Sequence, residues 1–553
     1  MLNITGPDGK VREYKEGVTF LEIAQDYAQK YSTPIAEAIC DGAGIGLQRE
    51  VPHDCTVGFI PTDSLEGMRV YVRTLLYVFL MALREVKPDE EIEVMNCIGD
   101  ALYCDVKGGV LLQENDIAAV KAVMHKMIAD KEPIRLMYLS KKEALCAVKS
   151  DMRRDRVPLL EAAPDFACLP AYALRGDIEY FFGPLFPHAG YLKAFDLMSY
   201  HKGIMLRYPK SSALDIIPPF VDQPKLSKVY DQSEEWGNIV GCPTVAALND
   251  FIRQGKDREI IQVAEGLQEK VISHIADRIN AAGHDIHLAL IAGPSSSGKT
   301  TFAQRLSVQL RVLGLRPQAL SLDNYFVERT QTPRKADGEY DYECIEALDL
   351  ELFHEHLSRL LQGERVKIPR YNFRTGRKEY RGQELQLDEK GVLVIEGIHG
   401  LNEKLSSVVP SKNKLKIYIS ALTPLSFDDY NRIQTSDMRL LRRMVRDSQF
   451  RSKDALDTLA TWHTVREGEE KFIFPFAEEA DVMFNTTLIY EIAALKKYAE
   501  PLLRAIPKDK PEYTEAVRLL RILEVVLPIN EEAIPQNSIM REFLGCSIYK
   551  ELL

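Results

Sequence analysis

The residues best suited to chemistry stand eight in a row: Gly293-Pro294-Ser295-Ser296-Ser297-Gly298-Lys299-Thr300, a full match to G-x-x-x-x-G-K-[ST]. Small residues here let backbone N–H groups wrap a phosphate, and a helix beginning at the lysine turns its positive dipole end toward the same anion. The Lys299 ammonium can neutralise β- and γ-phosphate oxygens, and the Thr300 hydroxyl can ligate Mg²⁺. Both flanks agree with that use. An apolar stretch, 287–292, precedes the loop, and Phe302, Leu306, Val308 and Leu310 give the next run a helical character. A chance Gly/Ser turn has no reason to carry both. The candidate nucleotide contacts are Gly293, Ser295, Ser296, Ser297, Gly298, Lys299, Thr300 and Thr301.

Two carboxylates and a run of arginines extend the pattern. Asp323 closes the apolar run 317–322 in Ser321-Leu322-Asp323-Asn324-Tyr325-Phe326. There it can accept the proton of an attacking hydroxyl or join a Mg²⁺ shell, the plainer alternative being a turn cap. Glu396 ends the run 392–395 in the same way. It suits support of Mg²⁺, directly or through water, against the alternative of a solvated strand-end glutamate. Arg439, Arg442 and Arg446 are spaced three and four apart, so a helix puts them on one face. Guanidinium forks match phosphate oxygens, and such a helix can close as a lid, although a charged face is often only solvated. Trp462 follows this run and offers either a stacking wall or a structural aromatic.

These side chains need a scaffold that gathers them. From residue 287 the chain alternates apolar and amphipathic runs, the pattern of a parallel sheet covered by helices on both faces. The strands expected are 287–292, 317–322 and 392–395, with 414–419 and 482–484 as two more. Open sheets of this kind bind ligands at the carboxyl ends of their strands, where the glycine loop, Asp323 and Glu396 all fall. Ahead of residue 287, Asp8-Gly9 marks a hairpin, 19–31 and 64–84 read as helices, and strand and helix signals alternate to about 150. Pro209, Pro218, Pro219 and Pro224 punctuate an extended connector, and 244–282 is helical with Gly283 as its C-cap.

Composition bounds the rest. At 553 residues the chain is long enough for about three or four domains of roughly 150 residues. A hydrophobic fraction of 46%, a charged fraction of 27% and a net charge of -11 describe an ordinary soluble globular protein without an overall basic surface for nucleic acid. The nine cysteines contain no C-x-x-C pair, which predicts neither a zinc finger nor a disulfide framework and suits a reducing cytoplasm. The N-terminus shows no apolar signal core, and the longest apolar run, 75–83, is too short to span a bilayer, so no membrane association is expected.

Residues 287 to about 490 resemble the uridine kinase and phosphoribulokinase branch of P-loop kinases. The likeness runs in order through the loop, Ser-Leu-Asp-Asn-Tyr-Phe, Tyr340-Asp341 with Ala347-Leu348-Asp349, Tyr371-Asn372-Phe373, Glu396-Gly397-Ile398 and the arginine run. The resemblance implies ATP and Mg²⁺ as cofactors, with Asp323 the base for a sugar hydroxyl and Glu396 supporting the metal with Thr300 and Asp323. It also implies Asp341 at the ribose hydroxyls, Tyr371, Phe373 and Tyr325 around the acceptor, and Arg439, Arg442 and Arg446 closing over phosphates with Lys299. One position departs: where pyrimidine kinases of this family carry a base-reading histidine, this chain has Gly376.

The first 220 residues resemble the front of threonyl-tRNA synthetase, a ubiquitin-like TGS module followed by the second additional domain. The likeness rests on Ile4-Thr5-Gly6-Pro7-Asp8-Gly9, Gly17-Val18-Thr19 and Asp63-Ser64-Leu65-Glu66-Gly67. The synthetase's H-x-x-x-H pair is replaced by Arg73 and Tyr77, and Cys168 is followed four later by Tyr172, so hydrolytic editing is expected to be lost. The expected organisation is multidomain, α/β and α+β: a β-grasp module over 1–62, an α+β domain over 63–220, a connector and helical segment over 221–285, and a P-loop kinase domain with C-terminal helices over 286–553. The activity expected is ATP-dependent phosphorylation of a nucleoside in a cytoplasmic homo-oligomer, with tRNA or another ligand at the front domains. A kinase for another sugar-like alcohol and an ATP-switched RNA-binding regulator are the alternatives.

Overall fold

Leu288–Ala292 is buried at all five positions and Lys414–Ser420 at all seven, which is the mark of strands covered on both faces. The computed structural model, which describes residues 1–150, 160–161, 169–283, 285–335, 338, 340–372 and 375–549, places both in one sheet. Its strand order is Arg316–Ser321, Gly391–Glu396, Leu288–Ala292, Lys414–Ser420, Val482–Asn485, and every neighbouring pair is parallel. All five strands expected from the sequence are therefore present, each within a residue or two. Phe302, Leu306 and Leu310 of the helix Lys299–Val312 pack on one face with Ala289, Ile291, Val394 and Ile417. Leu288, Leu290, Leu393 and Ile395 meet Phe353, Leu357 and Leu360 of the helix Leu350–Leu361 on the other.

The front of the chain forms a mixed five-stranded sheet, ordered Val11–Tyr14, Leu2–Thr5, Cys55–Pro61, Ile35–Cys40, Ala43–Ile45. The helix Phe20–Tyr27 presses Phe20, Ile23, Ala24 and Tyr27 onto it beside Ile4, Ala38 and Val57. This is a β-grasp arrangement. A long helix, Leu65–Val86, follows and packs against the helix Glu114–Ala129. A four-stranded antiparallel sheet, Asp196–Tyr200, Gly203–Arg207, Ala101–Val106, Ile92–Cys97, and a three-stranded one, Asp177–Glu179, Leu169–Leu174, Arg135–Leu139, complete the α+β region.

The connector differs from expectation. Pro224 does not prolong an extended stretch but opens the helix Pro224–Val240, because proline's missing N–H and fixed φ suit the first helical position. The stretch 244–282 is two helices, Val245–Arg253 and Asp257–Ala281, broken at Gly255 with φ 68°. Among the described residues no helix is long and apolar enough to cross a membrane.

Candidate active site

The glycine loop leaves the central strand at its carboxyl end. A Cβ on Gly293 would lie 2.2 Å from the Ile419 carbonyl oxygen and 2.9 Å from Ser297 Oγ, so only glycine fits this close approach. Ser296 at φ 58° and Gly298 at φ 83° turn the loop left-handed, the geometry of a backbone anion nest, and the helix begins at Lys299. The Ser296 and Ser297 hydroxyls are buried without a protein hydrogen-bond partner. Lys299 Nζ donates to the Pro294 carbonyl at 3.0 Å. Thr300 is half-buried beside it.

The two carboxylates come to the same end of the sheet. Glu396 is the last residue of its strand, with Ile291 and Ser321 as cross-strand neighbours, and Asp323 follows two residues past Ser321. Crowding by protein raises the Asp323 pKa above the ordinary carboxylate value, although solvent still reaches the side chain, as at the wall of a cleft. The charges of Lys299 and Arg451 pull it back down. Burial also raises Glu396, with Asp323 adding to the rise and Lys299 and a Ser321 hydrogen bond opposing it. Burial lowers Lys299 while Glu396, Glu542 and Asp323 oppose that shift. Lys299 is thus within electrostatic reach of Glu396, Glu542 and Asp323.

The arginine helix is Thr435–Phe450, and the structure divides its arginines by task. Arg439 donates to the Ser295 carbonyl at 3.1 Å, pairs with buried Glu469 and lies over the Trp462 ring at 5.5 Å. Trp462 is thus a prop for Arg439. Arg442 is fully buried and spends its donors on Glu491 at 2.5 and 2.6 Å, Thr486 and the Ser296 carbonyl. Arg446 pairs with Asp447 at 2.7 Å. The expected shared phosphate-closing face is therefore corrected for Arg442, which braces the loop from behind. Arg443, outside the expected set, donates to Ser295 Oγ at 2.7 Å.

The acceptor residues separate as well. Asp341 is half-buried and caps its own turn, accepting from the Glu343 amide at 3.2 Å. Tyr371 is buried against Phe326, with ring centroids 5.5 Å apart. Tyr325 does not face the acceptor side: it is fully buried, hydrogen-bonded to His356 Nδ1 at 3.0 Å and packed on Phe353. Its role is a core one. Phe373 lies outside the described residues. Glu343 is pushed up to about 7 by burial and the nearby Glu469, and buried His399 is pushed down to about 4 by burial. Neither carries a sequence signal stronger than its neighbourhood in the Tyr340-Asp341 and Glu396-Gly397-Ile398 units.

At the front, the positions of the synthetase's histidine pair are filled by packing. Tyr77 is fully buried and donates to the carbonyls of Tyr172 at 2.7 Å and Asp177 at 2.9 Å. Arg73 donates to the Pro184 carbonyl at 3.2 Å and lies against Gly183. Cys168 lies outside the described residues.

An all-parallel five-stranded sheet with this loop on its central strand, Glu396 ending the strand beside it and Asp323 just past the strand beyond has the fold of a P-loop kinase domain. Residues 288–493 match the model of the phosphoribulokinase / uridine kinase family. The N-terminal region is similar to threonine–tRNA ligases. The enzyme of Parabacteroides distasonis is 27% identical over 200 residues, covering 36% of this chain and 31% of that protein. That of Porphyromonas gingivalis W83 is 27% identical over 309 residues, covering 50% and 46%. The chain thus spans between about a third and a half of the length of these relatives. A solved structure of a possible uridine kinase from Bacillus stearothermophilus is 20% identical, covers 39% of this chain and 97% of that one, and has a TM-score of 0.24.

Proposed function

We propose that this chain transfers the γ-phosphoryl group of ATP, with Mg²⁺, to a hydroxyl of a small molecule, and that the acceptor is the ribose 5′-hydroxyl of a nucleoside. The observation that carries this reading is the convergence of Lys299, Asp323 and Glu396 at the carboxyl ends of three adjacent parallel strands. A nucleotide switch needs the loop and a metal-supporting carboxylate. It has no use for a second raised-pKa carboxylate facing the same cleft.

The residues fit the cofactor. The loop's left-handed turn, its unpartnered Ser296 and Ser297 hydroxyls and the helix N-terminus at Lys299 suit a chain of phosphates. Among the described residues no group of three His, Cys, Asp or Glu side chains is arranged to cage a metal. The ion would take Thr300, Glu396 and Asp323 singly, with phosphate and water oxygens completing its shell. Bound Mg·ATP supplies the phosphoryl group. Asp323 takes the proton of the acceptor hydroxyl, Lys299, Arg439 and Arg443 hold negative charge in place, and Asp341 and Tyr371 orient the acceptor.

Gly376 bears on the choice of base. Its φ is 70°, and a Cβ there would lie 2.7 Å from the Cβ of Arg329, whose Nε donates to Tyr342 Oη at 3.2 Å. An arginine therefore fills the space in which a side chain at 376 would read the base. An arginine offers donors alone, so it favours acceptor atoms and does not recognise a mixed donor–acceptor pyrimidine edge. The expected result is a kcat/KM for uridine and cytidine less than a hundredfold above that for adenosine, inosine and guanosine. A larger pyrimidine preference would contradict this assignment. The same arginine favours, as a second reading, a sugar-like alcohol carrying negative charge. At the front, the likeness to threonine–tRNA ligases supports binding of tRNA or a related ligand without hydrolysis, because Arg73 and Tyr77 serve as packing.

A further inference from the structure

The chain continues for some sixty residues past the family match, and this tail returns to the glycine loop. The helix Tyr513–Glu524 leads to a segment in which Ile534, Ile539, Met540, Phe543 and Leu544 are all buried. Arg541 clamps the turn by donating to the carbonyls of Glu531 at 2.8 Å and Ile534 at 2.6 Å. Phe543 lies under the Arg442 guanidinium at 4.9 Å, and a Cβ on Gly298 would meet Ile539 Cγ2 at 2.7 Å. The segment thus presses on the loop itself.

What it brings there is a carboxylate. Glu542 Oε2 accepts from the Thr301 amide at 3.2 Å and from Thr301 Oγ1 at 2.8 Å, one residue past the Lys299-Thr300 pair. Glu542 is half-buried, and its charge is among those felt by Lys299 and Glu396. At the opposite end of the loop, Glu469 Oε1 accepts from the Ser295 amide at 3.0 Å. Donors at both ends of the phosphate cradle are engaged by carboxylates of the chain itself. A carboxylate and a phosphate oxygen compete for the same N–H and O–H groups and repel each other.

We propose that the C-terminal segment 534–545 is an internal competitor for the nucleotide: Glu542 occupies the phosphate donors of Thr301, and nucleotide binding displaces it. This inference rests on the P-loop reading of the site and adds its regulation. Anything that draws the tail away, such as a ligand at the front domains or a partner protein, would then raise nucleotide affinity. A simple helix cap, by contrast, would leave affinity unchanged when neutralised.

The test is the dissociation constant of a non-hydrolysable ATP analogue with Mg²⁺ for the full chain and for Glu542→Gln, read by calorimetry beside each protein's Tm. Hydrogen exchange of residues 534–549 in the unaltered chain is measured with and without the analogue. The competitor account expects Glu542→Gln to bind at least tenfold more tightly at similar Tm, and the tail to exchange faster when the analogue is bound. Equal or weaker binding by Glu542→Gln, no binding by either protein, or a tail whose exchange is unchanged or slowed would each overturn it. Tight binding by Glu542→Gln without phosphorylation of any acceptor would sink the kinase reading and leave this one standing.

Discussion

Asp323 is a carboxylate that solvent reaches and protein crowds; the crowding raises its pKa, and two cations, Lys299 and Arg451, oppose the rise. A base works deprotonated, so a raised pKa places the acidic limb of the kcat/KM profile above the ordinary aspartate value of 3.8. Arg451 favours the charged carboxylate, and its removal favours the protonated one. Arg451→Ala should therefore move the acidic limb to higher pH. A limb that stays in place or moves down would show that another group titrates. The placement of Asp323 just past a strand of the sheet was legible in the sequence because it closes an apolar run. Arg451 was not, since it lies 128 positions away and only the packing of the arginine helix brings its charge near. Tyr325, in the same motif, was misread for a related reason: a six-residue unit tells which residues are neighbours but not which of them turn into the core.

At the scale of elements, the strands were legible to within a residue or two because runs such as 287–292 and 414–419 are apolar throughout, as double burial requires. The arginine helix was legible as a helix with one arginine face. Periodicity states that Arg439, Arg442 and Arg446 share a side; it does not state that Thr486 and Glu491 cover it. That difference can be measured. Arg442→Ala strands Glu491, which is 1% exposed, without its bidentate partner, and should cost about 3–5 kcal/mol in urea unfolding. Arg443→Ala removes a donor to Ser295 Oγ from a side chain at the edge of the cleft. It should change stability by about 1 kcal/mol or less and lower kcat on the order of a hundredfold. Equal stabilities for the two variants would contradict the division of labour read from the hydrogen bonds.

At the scale of the whole molecule, the front domains are joined to the kinase domain at the segment that leads into the arginine helix. Tyr180 donates to buried Asp428 at 2.8 Å, the Val94 amide to the Asp429 carbonyl at 2.7 Å, and the rings of Phe182 and Phe427 stack at 4.5 Å. Arg69 of the long front helix pairs with Glu515 at 2.9 Å, and Arg518 joins Glu515 to Asp437 in the first turn of the arginine helix. The contacts between front and back were not legible in the sequence, because Tyr180–Asp428, Val94–Asp429, Phe182–Phe427 and Arg69–Glu515 each link residues hundreds of positions apart. They tie the front domains to the arginine helix and to the helix Tyr513–Glu524. The full chain should show no deacylation of mischarged threonine-specific tRNA, and hydrolysis above the rate of the free aminoacyl-tRNA would overturn the reading of Arg73 and Tyr77.

The central claim, that this cleft phosphorylates an alcohol, is tested most directly by the transfer of labelled γ-phosphate from Mg·ATP to a panel of nucleosides and sugar-like alcohols. Wild-type protein, Lys299→Ala and Asp323→Asn are compared at saturating ATP. The account predicts a labelled acceptor monophosphate from the wild type, with kcat lower by about two orders of magnitude or more in each variant, and ATP affinity retained in Asp323→Asn. An absence of acceptor-dependent label across the panel, or undiminished transfer by both variants, would contradict it.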